Sequence, residues 1–361
     1  MLGQTPRCSA AAGTAEHGEL SSATRETAVV SPRAPAAERR AKRALVTGCA
    51  GFLGSHLSEG LLALGYEVVG VDCFTDYYAS GRKARNLEPL LDEPRFSLER
   101  IDLAVDPLEG LLEGVDDVFH LAGQPGVRAS FGVAFPAYLR HNVEAAQRLL
   151  EEAVNRPLRA FVYASSSSVY GDVADRPAVE TLPLRPVSPY GATKAAVETV
   201  AGVYRRTHGL PVVGLRYFTA YGPRQRPDMA FSRFICRAIA GQPLQVFGDG
   251  LQRRDFTYVA DVIAATVAAA RRGRRGVVYN VGGGGSVPLV DVVTLLQDLI
   301  GRTVPVEHLP AALGDPRSTR ADISAAAADL GFAPRTALAD GLAAQLEWML
   351  AEPFAAVPLA A

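Results

Sequence analysis

A tyrosine and a lysine four residues apart, in Tyr190-Gly191-Ala192-Thr193-Lys194, follow a serine run, Ser165-Ser166-Ser167-Ser168-Val169-Tyr170-Gly171. On a helix this spacing puts both side chains on one face, a turn apart, so the ammonium can sit under the phenol. A free phenol has a pKa near ~10, and a neighbouring cation favours the phenolate, which makes the tyrosine a general base. The hydroxyls of Ser166, Ser167 and Ser168 then position a substrate oxygen. This is proton-handling equipment, and it marks the chain as an enzyme.

The flanking elements suit that chemistry. Arg159-Ala160-Phe161-Val162-Tyr163-Ala164 reads as a buried parallel strand that ends in the hydroxyls, where open α/β sheets carry their chemistry. Near the start of the chain, Ala44-Leu45-Val46-Thr47 is a strand and Gly48-Cys49-Ala50-Gly51-Phe52-Leu53-Gly54 a glycine loop that opens a helix. Glycines at 48, 51 and 54 let backbone approach a pyrophosphate, whose charge meets the amides at the helix N-terminus. The second strand, Glu67-Val68-Val69-Gly70-Val71, ends in Asp72, which is placed to accept from a ribose 2′-hydroxyl and to repel a 2′-phosphate. With Cys73 rather than an arginine next to it, the expected cofactor is NAD rather than NADP.

Taken together, residues from about 43 to about 349 resemble the extended short-chain dehydrogenase/reductases of the nucleotide-sugar epimerase and dehydratase family. The matching motifs are the glycine loop, Asp102-Leu103, His120-Leu121-Ala122-Gly123, the serine run with Tyr170-Gly171, and Tyr190 with Lys194. Further matches are Arg216-Tyr217-Phe218, Tyr221-Gly222-Pro223, the segment from Gly248 to Phe256, and Tyr279-Asn280-Val281-Gly282. The resemblance implies a tightly held NAD that is reduced and reoxidised within one turnover. It assigns cofactor contacts to Gly48, Gly51, Phe52, Leu53, Gly54, Asp72, Asp102, Leu103, Leu121, Ala122, Tyr190, Lys194 and Tyr217.

Dehydratases of the family look to carry an Asp-Glu pair just before Val-Tyr-Gly, and decarboxylases a glutamate; here Ser167 and Ser168 stand instead. Epimerisation needs only the base, a hydroxyl and NAD. The segment Cys73 to Tyr78, Gln124-Pro125-Gly126-Val127-Arg128, and Thr219 with Gly222 to Met229 look like the UDP-glucuronate 4-epimerases. By resemblance, Thr219 and Arg226 hold the sugar carboxylate, a task suited to the planar donor fork of arginine. That grip matters because oxidation at C4 of a glucuronate makes a β-keto acid, which loses carbon dioxide unless its carboxylate is restrained. Arg128, Arg254 and Arg317 are the remaining expected substrate contacts, the last two as a diphosphate clamp, although Ala312 stands where some relatives place another arginine.

Composition bounds the alternatives. The chain has 361 residues, a net charge of −1 and 48% hydrophobic residues, enough for a two-lobed protein with a substantial core and no call for nucleic acid. Four cysteines (Cys8, Cys49, Cys73, Cys236) are scattered, as expected for free thiols in a reducing cytoplasm, and the six dispersed histidines show no metal-ligand spacing. Residues 1 to about 40 hold no stretch apolar enough for a signal core or a membrane span. Strand and helix alternate, so the expected fold is α/β: a doubly wound parallel (Rossmann) sheet with a smaller, discontinuous α/β substrate-binding domain. Expected boundaries are 41–221 and 247–285 for the NAD-binding domain, and 222–246 and 286–349 for the nucleotide-sugar domain. Residues 1–40 read as a disordered extension and 350–361 as a flexible tail. Helices near 138–154 and 191–207 match the pair that forms a dimeric four-helix bundle in relatives, so a homodimer is expected. Conversion of UDP-glucuronate to UDP-galacturonate is the main reading. The alternatives are a UDP-glucose or UDP-N-acetylglucosamine 4-epimerase, a dehydratase or decarboxylase, and a non-catalytic NAD-binding regulator.

Overall fold

A computed structural model describes residues 40–173 and 176–351. Along the chain the strands are β1 (Arg43–Thr47), β2 (Glu67–Val71), β3 (Phe96–Glu99), β4 (Asp117–His120), β5 (Ala160–Ser166), β6 (Val212–Tyr217) and β7 (Thr219–Tyr221). There follow β8 (Leu244–Phe247), β9 (Arg253–Arg254), β10 (Phe256–Tyr258), β11 (Val278–Val281), β12 (Val287–Pro288) and β13 (Val306–Leu309). The helices are α1 (Phe52–Ala63), α2 (Ser80–Leu91), α3 (Phe135–Tyr138), α4 (Ala145–Ala153), α5 (Pro189–His208), α6 (Ala230–Ile239), α7 (Val259–Arg272), α8 (Leu289–Ile300), α9 (Ser324–Leu330) and α10 (Leu338–Ala351). A π-helical stretch, Leu139–Glu144, joins α3 to α4.

Seven strands form one parallel sheet in the order β11-β6-β5-β4-β1-β2-β3. The sequence direction reverses between β1 and β4, and the crevice beyond their carboxyl ends is where such sheets bind ligands. Apolar runs such as Leu45-Val46, Val68-Val69 and Phe161-Val162-Tyr163 are buried because helices cover both faces. One apolar cluster packs α1 and α7 on one face, and a second packs α4 and α5 on the other. The sequence pattern predicts strands near 44–47, 67–72, 96–101, 117–121, 159–164, 211–216 and 276–281, and all seven fall within two residues of these bounds at each end.

Past β6 the chain makes three two-stranded pairs, β10 with β7, β12 with β9 and β13 with β8. A separate apolar cluster gathers Phe231, Phe234 and Ile235 of α6, Val292 and Leu296 of α8, and Leu342 and Met349 of α10. It draws on both segments expected for the sugar-binding lobe. The expected N-terminal extension and C-terminal tail lie outside the described residues, apart from Arg40, Leu350 and Ala351; the last two close α10, so the helix runs past the expected end.

Candidate active site

Helix α5 starts where the chemistry needs it. Pro189 occupies the first turn, Ser188 caps it by accepting from the Gly191 amide at 3.1 Å, and Gly209 ends it in the left-handed region. The first turn is therefore fixed, with Tyr190 and Lys194 one turn apart on it. Lys194 Nζ lies 6.0 Å from the Tyr190 ring centre and donates to the Ala164 carbonyl of β5 at 3.0 Å. Burial lowers the lysine's pKa to about 8.

The electrostatics differ from the expectation that Lys194 brings the phenol down. Burial pushes Tyr190 up from its ordinary value, and the charge that opposes the rise is that of Arg226, together with a hydrogen bond to Ser166. The reason is directional: the lysine ammonium is turned to a strand-end carbonyl. Ser166 ends β5, and its Oγ accepts from the Ser168 amide and donates to Ser168 Oγ, both at 3.1 Å. Ser167 gives its carbonyl to the Tyr170 amide. Of the three serines, Ser166 is the one that reaches the tyrosine.

The residues expected at the cofactor, Tyr217 apart, gather about the carboxyl ends of β1 to β4. Gly48 has φ +71°, and a Cβ there would lie 2.9 Å from the Ala122 amide; a Cβ on Gly54 would lie 2.0 Å from the Gly48 carbonyl. Gly51 caps α1 with no side chain bonded to the first-turn amides, which leaves them to face an anion. Asp72 accepts from the Ala50 amide at 3.1 Å and from the Phe74 amide at 2.8 Å, so it also pins the glycine loop. Phe74 adopts φ +52°, a strained conformation for an aromatic residue, beside that acid. Asp102, after β3, accepts from the Ala104 amide, and Leu103 behind it is buried. Leu121 and Ala122 follow β4, where the Ala122 amide donates to Thr47 Oγ1, itself 2.9 Å from His120 Nδ1. His120 is buried, its pKa lowered to about 3 first by desolvation and then by Lys194, so it packs as a neutral ring. These loops fit a dinucleotide. Tyr217 is the exception: its hydroxyl is 2.8 Å from Thr266 Oγ1 of α7 and its ring lies in the core, so little of it is left for a ligand.

Arg226 sits in the loop before α6, its side chain 22% exposed, and makes a two-pronged bond to Asp228 at 3.0 and 3.2 Å. Asp228 also accepts from the Tyr77 hydroxyl at 3.2 Å. Thr219 opens β7, half-buried. Arg128 and Arg254 meet on Asp315, at 3.2 and 2.6 Å. Arg317 does not join them; it pairs with Asp249 at 2.7 and 2.9 Å. A pair as exposed as the one Arg317 makes is weak and screened by solvent, so a diphosphate can exchange for the carboxylate.

Three supporting residues, Glu198, Arg216 and Asn142, had no role assigned from the sequence, Arg216 standing only within the matched Arg216-Tyr217-Phe218. Glu198, one turn beyond Lys194, is buried and pairs with Arg216 of β6 at 2.7 Å while accepting from Ser165 Oγ. Arg216 also donates to the Tyr170 hydroxyl, which donates to Asn280. The network ties α5, β5 and β6 and so sets the serines against the Tyr190 helix. Asn142, buried in the π-helical stretch, accepts from the Gln124 amide and donates to Thr193 Oγ1. For Glu198 the available hint was an acid four residues after the lysine.

Residues 44–282 match the family described as NAD dependent epimerase/dehydratase. A Bacillus subtilis (strain 168) protein, the uncharacterized UDP-glucose epimerase YtcB, is 44% identical over 307 residues, 84% of this chain and 97% of the relative. The UDP-glucuronate 4-epimerase of Thermodesulfobacterium geofontis (strain OPF15) is 35% identical over 308 residues, 84% of this chain and 95% of the relative. The crystal structure of UDP-glucuronic acid 4-epimerase from Bacillus cereus, in complex with UDP-glucuronic acid and NAD, superposes with a TM-score of 0.83. The two are 42% identical, and the match covers 85% of this chain and 98% of that one. The seven-stranded parallel sheet, the glycine crevice and the serine, tyrosine and lysine at its edge thus belong to a member of the NAD-dependent epimerase/dehydratase family, an epimerase by its relatives.

Proposed function

We propose that the chain catalyses the NAD-dependent 4-epimerisation of UDP-glucuronate to UDP-galacturonate through a transient 4-keto sugar. The observation that carries this reading is Arg226, a largely buried guanidinium whose charge bears on the Tyr190 phenol. A cation whose charge reaches the proposed base suits a substrate with a carboxylate on the reacting sugar. The solved Bacillus cereus relative, with its UDP-glucuronic acid and NAD, supports it.

In this reading Gly48, Gly51, Gly54 and the α1 amides hold the cofactor pyrophosphate, and Asp72 takes a ribose hydroxyl. Bound NAD supplies a hydride acceptor and donor at C4. Tyr190 removes the proton of the C4 hydroxyl and later returns one, with Ser166 within hydrogen-bond reach of the same phenol. Lys194, held on Ala164, keeps a positive charge beneath that exchange. Thr219 and Arg226 restrain the sugar carboxylate while C4 is a ketone, which limits loss of carbon dioxide. Arg128, Arg254 and Arg317 receive the diphosphate by exchanging their aspartates. No acid stands at 167 or 168 for elimination, and Glu198 beside Ser165 is committed to Arg216.

We extend the proposal to a two-lobed chain, a homodimer through α4 and α5, and a cytoplasmic setting. The separate apolar cluster around α6, α8 and α10, the exposed Val203 on α5 and the free thiols of Cys49, Cys73 and Cys236 support these points. A neutral-sugar epimerase acting on UDP-glucose is the second reading, favoured by the likeness to YtcB.

Separate assays on UDP-glucuronate, UDP-glucose and UDP-N-acetylglucosamine, with products resolved, test the choice. The wild type should have its highest kcat/KM on UDP-glucuronate. Arg226→Ala should raise KM for that sugar about tenfold or more, the worth of a charge-assisted bond, and increase escape of a decarboxylated 4-keto-pentose. An equal loss on charged and neutral sugars would give preference to the neutral-sugar reading.

A further inference from the structure

We propose that Cys73, Asp102 and His141 form a binding site for one thiophilic divalent cation of the Zn2+ class. The three come from separate elements: Cys73 follows β2, Asp102 follows β3, and His141 lies in the π-helical stretch before α4. Their ligand atoms all lie within 4.8 Å of one another, with His141 Nδ1 3.7 Å from Asp102 Oδ1. Zinc bonds of about 2.0–2.3 Å need donors closer than that, a difference that side-chain rotation can close. Cys73 is exposed, and the other two are partly so, which leaves the ion a path in.

The donor set selects the ion. One thiolate, one imidazole and one carboxylate suit a borderline-soft cation and disfavour Ca2+ or Mg2+, which take oxygen ligands. Three protein ligands leave a fourth, tetrahedral position to water. The Ala104 amide, donating to Asp102 at 2.9 Å, holds the carboxylate in orientation as outer partners of metal ligands do. A π turn is itself an uncommon feature that collects at functional positions, and here it presents His141 to the acid.

Asp102 is also among the residues assigned to the cofactor, so cation and cofactor draw on one carboxylate. On that assignment rests the effect on activity; the binding of the ion does not depend on it. On the stripped enzyme Zn2+ should oppose reloading with NAD, and excess NAD should relieve that inhibition.

Equilibrium dialysis against ZnCl2 tests the site on the purified enzyme with its bound nucleotide and again after the nucleotide is stripped. The wild type should bind one Zn2+ per chain saturably in at least the stripped form, and Cys73→Ser and His141→Gln should each weaken binding about tenfold or more. Titrating ZnCl2 into the epimerase assay of stripped enzyme reloaded with NAD should inhibit the wild type more than either variant. No saturable one-to-one binding in either form, or equal binding by wild type and both variants, would overturn the site. Inhibition that NAD leaves untouched would overturn the sharing of Asp102. Because dialysis needs no substrate, loss of the epimerase reading would leave the binding result standing.

Discussion

In the proposed cycle Tyr190 works as a base from a half-buried position, where desolvation holds its proton on. Catalysis then depends on nearby charge to lower the phenol when substrate is present. Tyr190→Phe keeps the ring and removes the proton acceptor, so turnover should fall by about two to four orders of magnitude while bound NAD is retained, as single-turnover assays and nucleotide release on denaturation would show. Near-normal turnover would remove Tyr190 from the mechanism. Lys194 gives a prediction in stability. Its pKa is about 8 in the folded chain and 10.5 as a free side chain, so at pH 7 it is charged in both states and folding bears the cost of burying the ammonium. Between about pH 8 and 10.5 the unfolded state still holds the proton that the folded state has released, so wild-type stability should rise with pH there, by about 3 kcal/mol in all. Urea unfolding of Lys194→Met, which lacks the titrating group, should show no such rise; parallel pH curves for the two proteins would contradict it. The Tyr190–Lys194 pair was legible because it is local, four positions on a helix. The bearing of Arg226 on Tyr190, and its bond to Asp228, were not, because β6, β7 and the following loop have to fold before those residues meet.

The elements make the glycine crevice a matter of backbone contact. Gly54→Ala would bring a methyl carbon to within 2.0 Å of the Gly48 carbonyl, which only backbone movement can relieve. The variant should therefore purify with little bound NAD and a lowered thermal midpoint. Full nucleotide occupancy by absorbance after denaturation would show that the loop tolerates the methyl group. Strands were readable from short apolar runs bounded by turns, since a sheet buried on both faces leaves a plain signal. The π-helical stretch that places His141 and Asn142 was not, because its residues have ordinary helical composition and the irregularity answers tertiary packing against α5. The same applies to the arginines: Arg128, Arg254 and Arg317 were identifiable by motif, but that two share Asp315 while the third turns to Asp249 is a property of the folded loops.

At the scale of the molecule, Tyr190, Lys194, Ser166 and the glycine crevice lie about the carboxyl ends of the central strands, and the charge of Arg226, from the loop before α6, reaches Tyr190. The arrangement implies a redox-neutral reaction in which the hydrogen taken from C4 never leaves the site. UDP-glucuronate carrying deuterium at C4, incubated with the purified enzyme without added nucleotide, tests this most directly. The account predicts UDP-galacturonate that retains deuterium at C4, read by mass spectrometry and NMR. Loss of the label to solvent, or no C4 epimer at all, would contradict it.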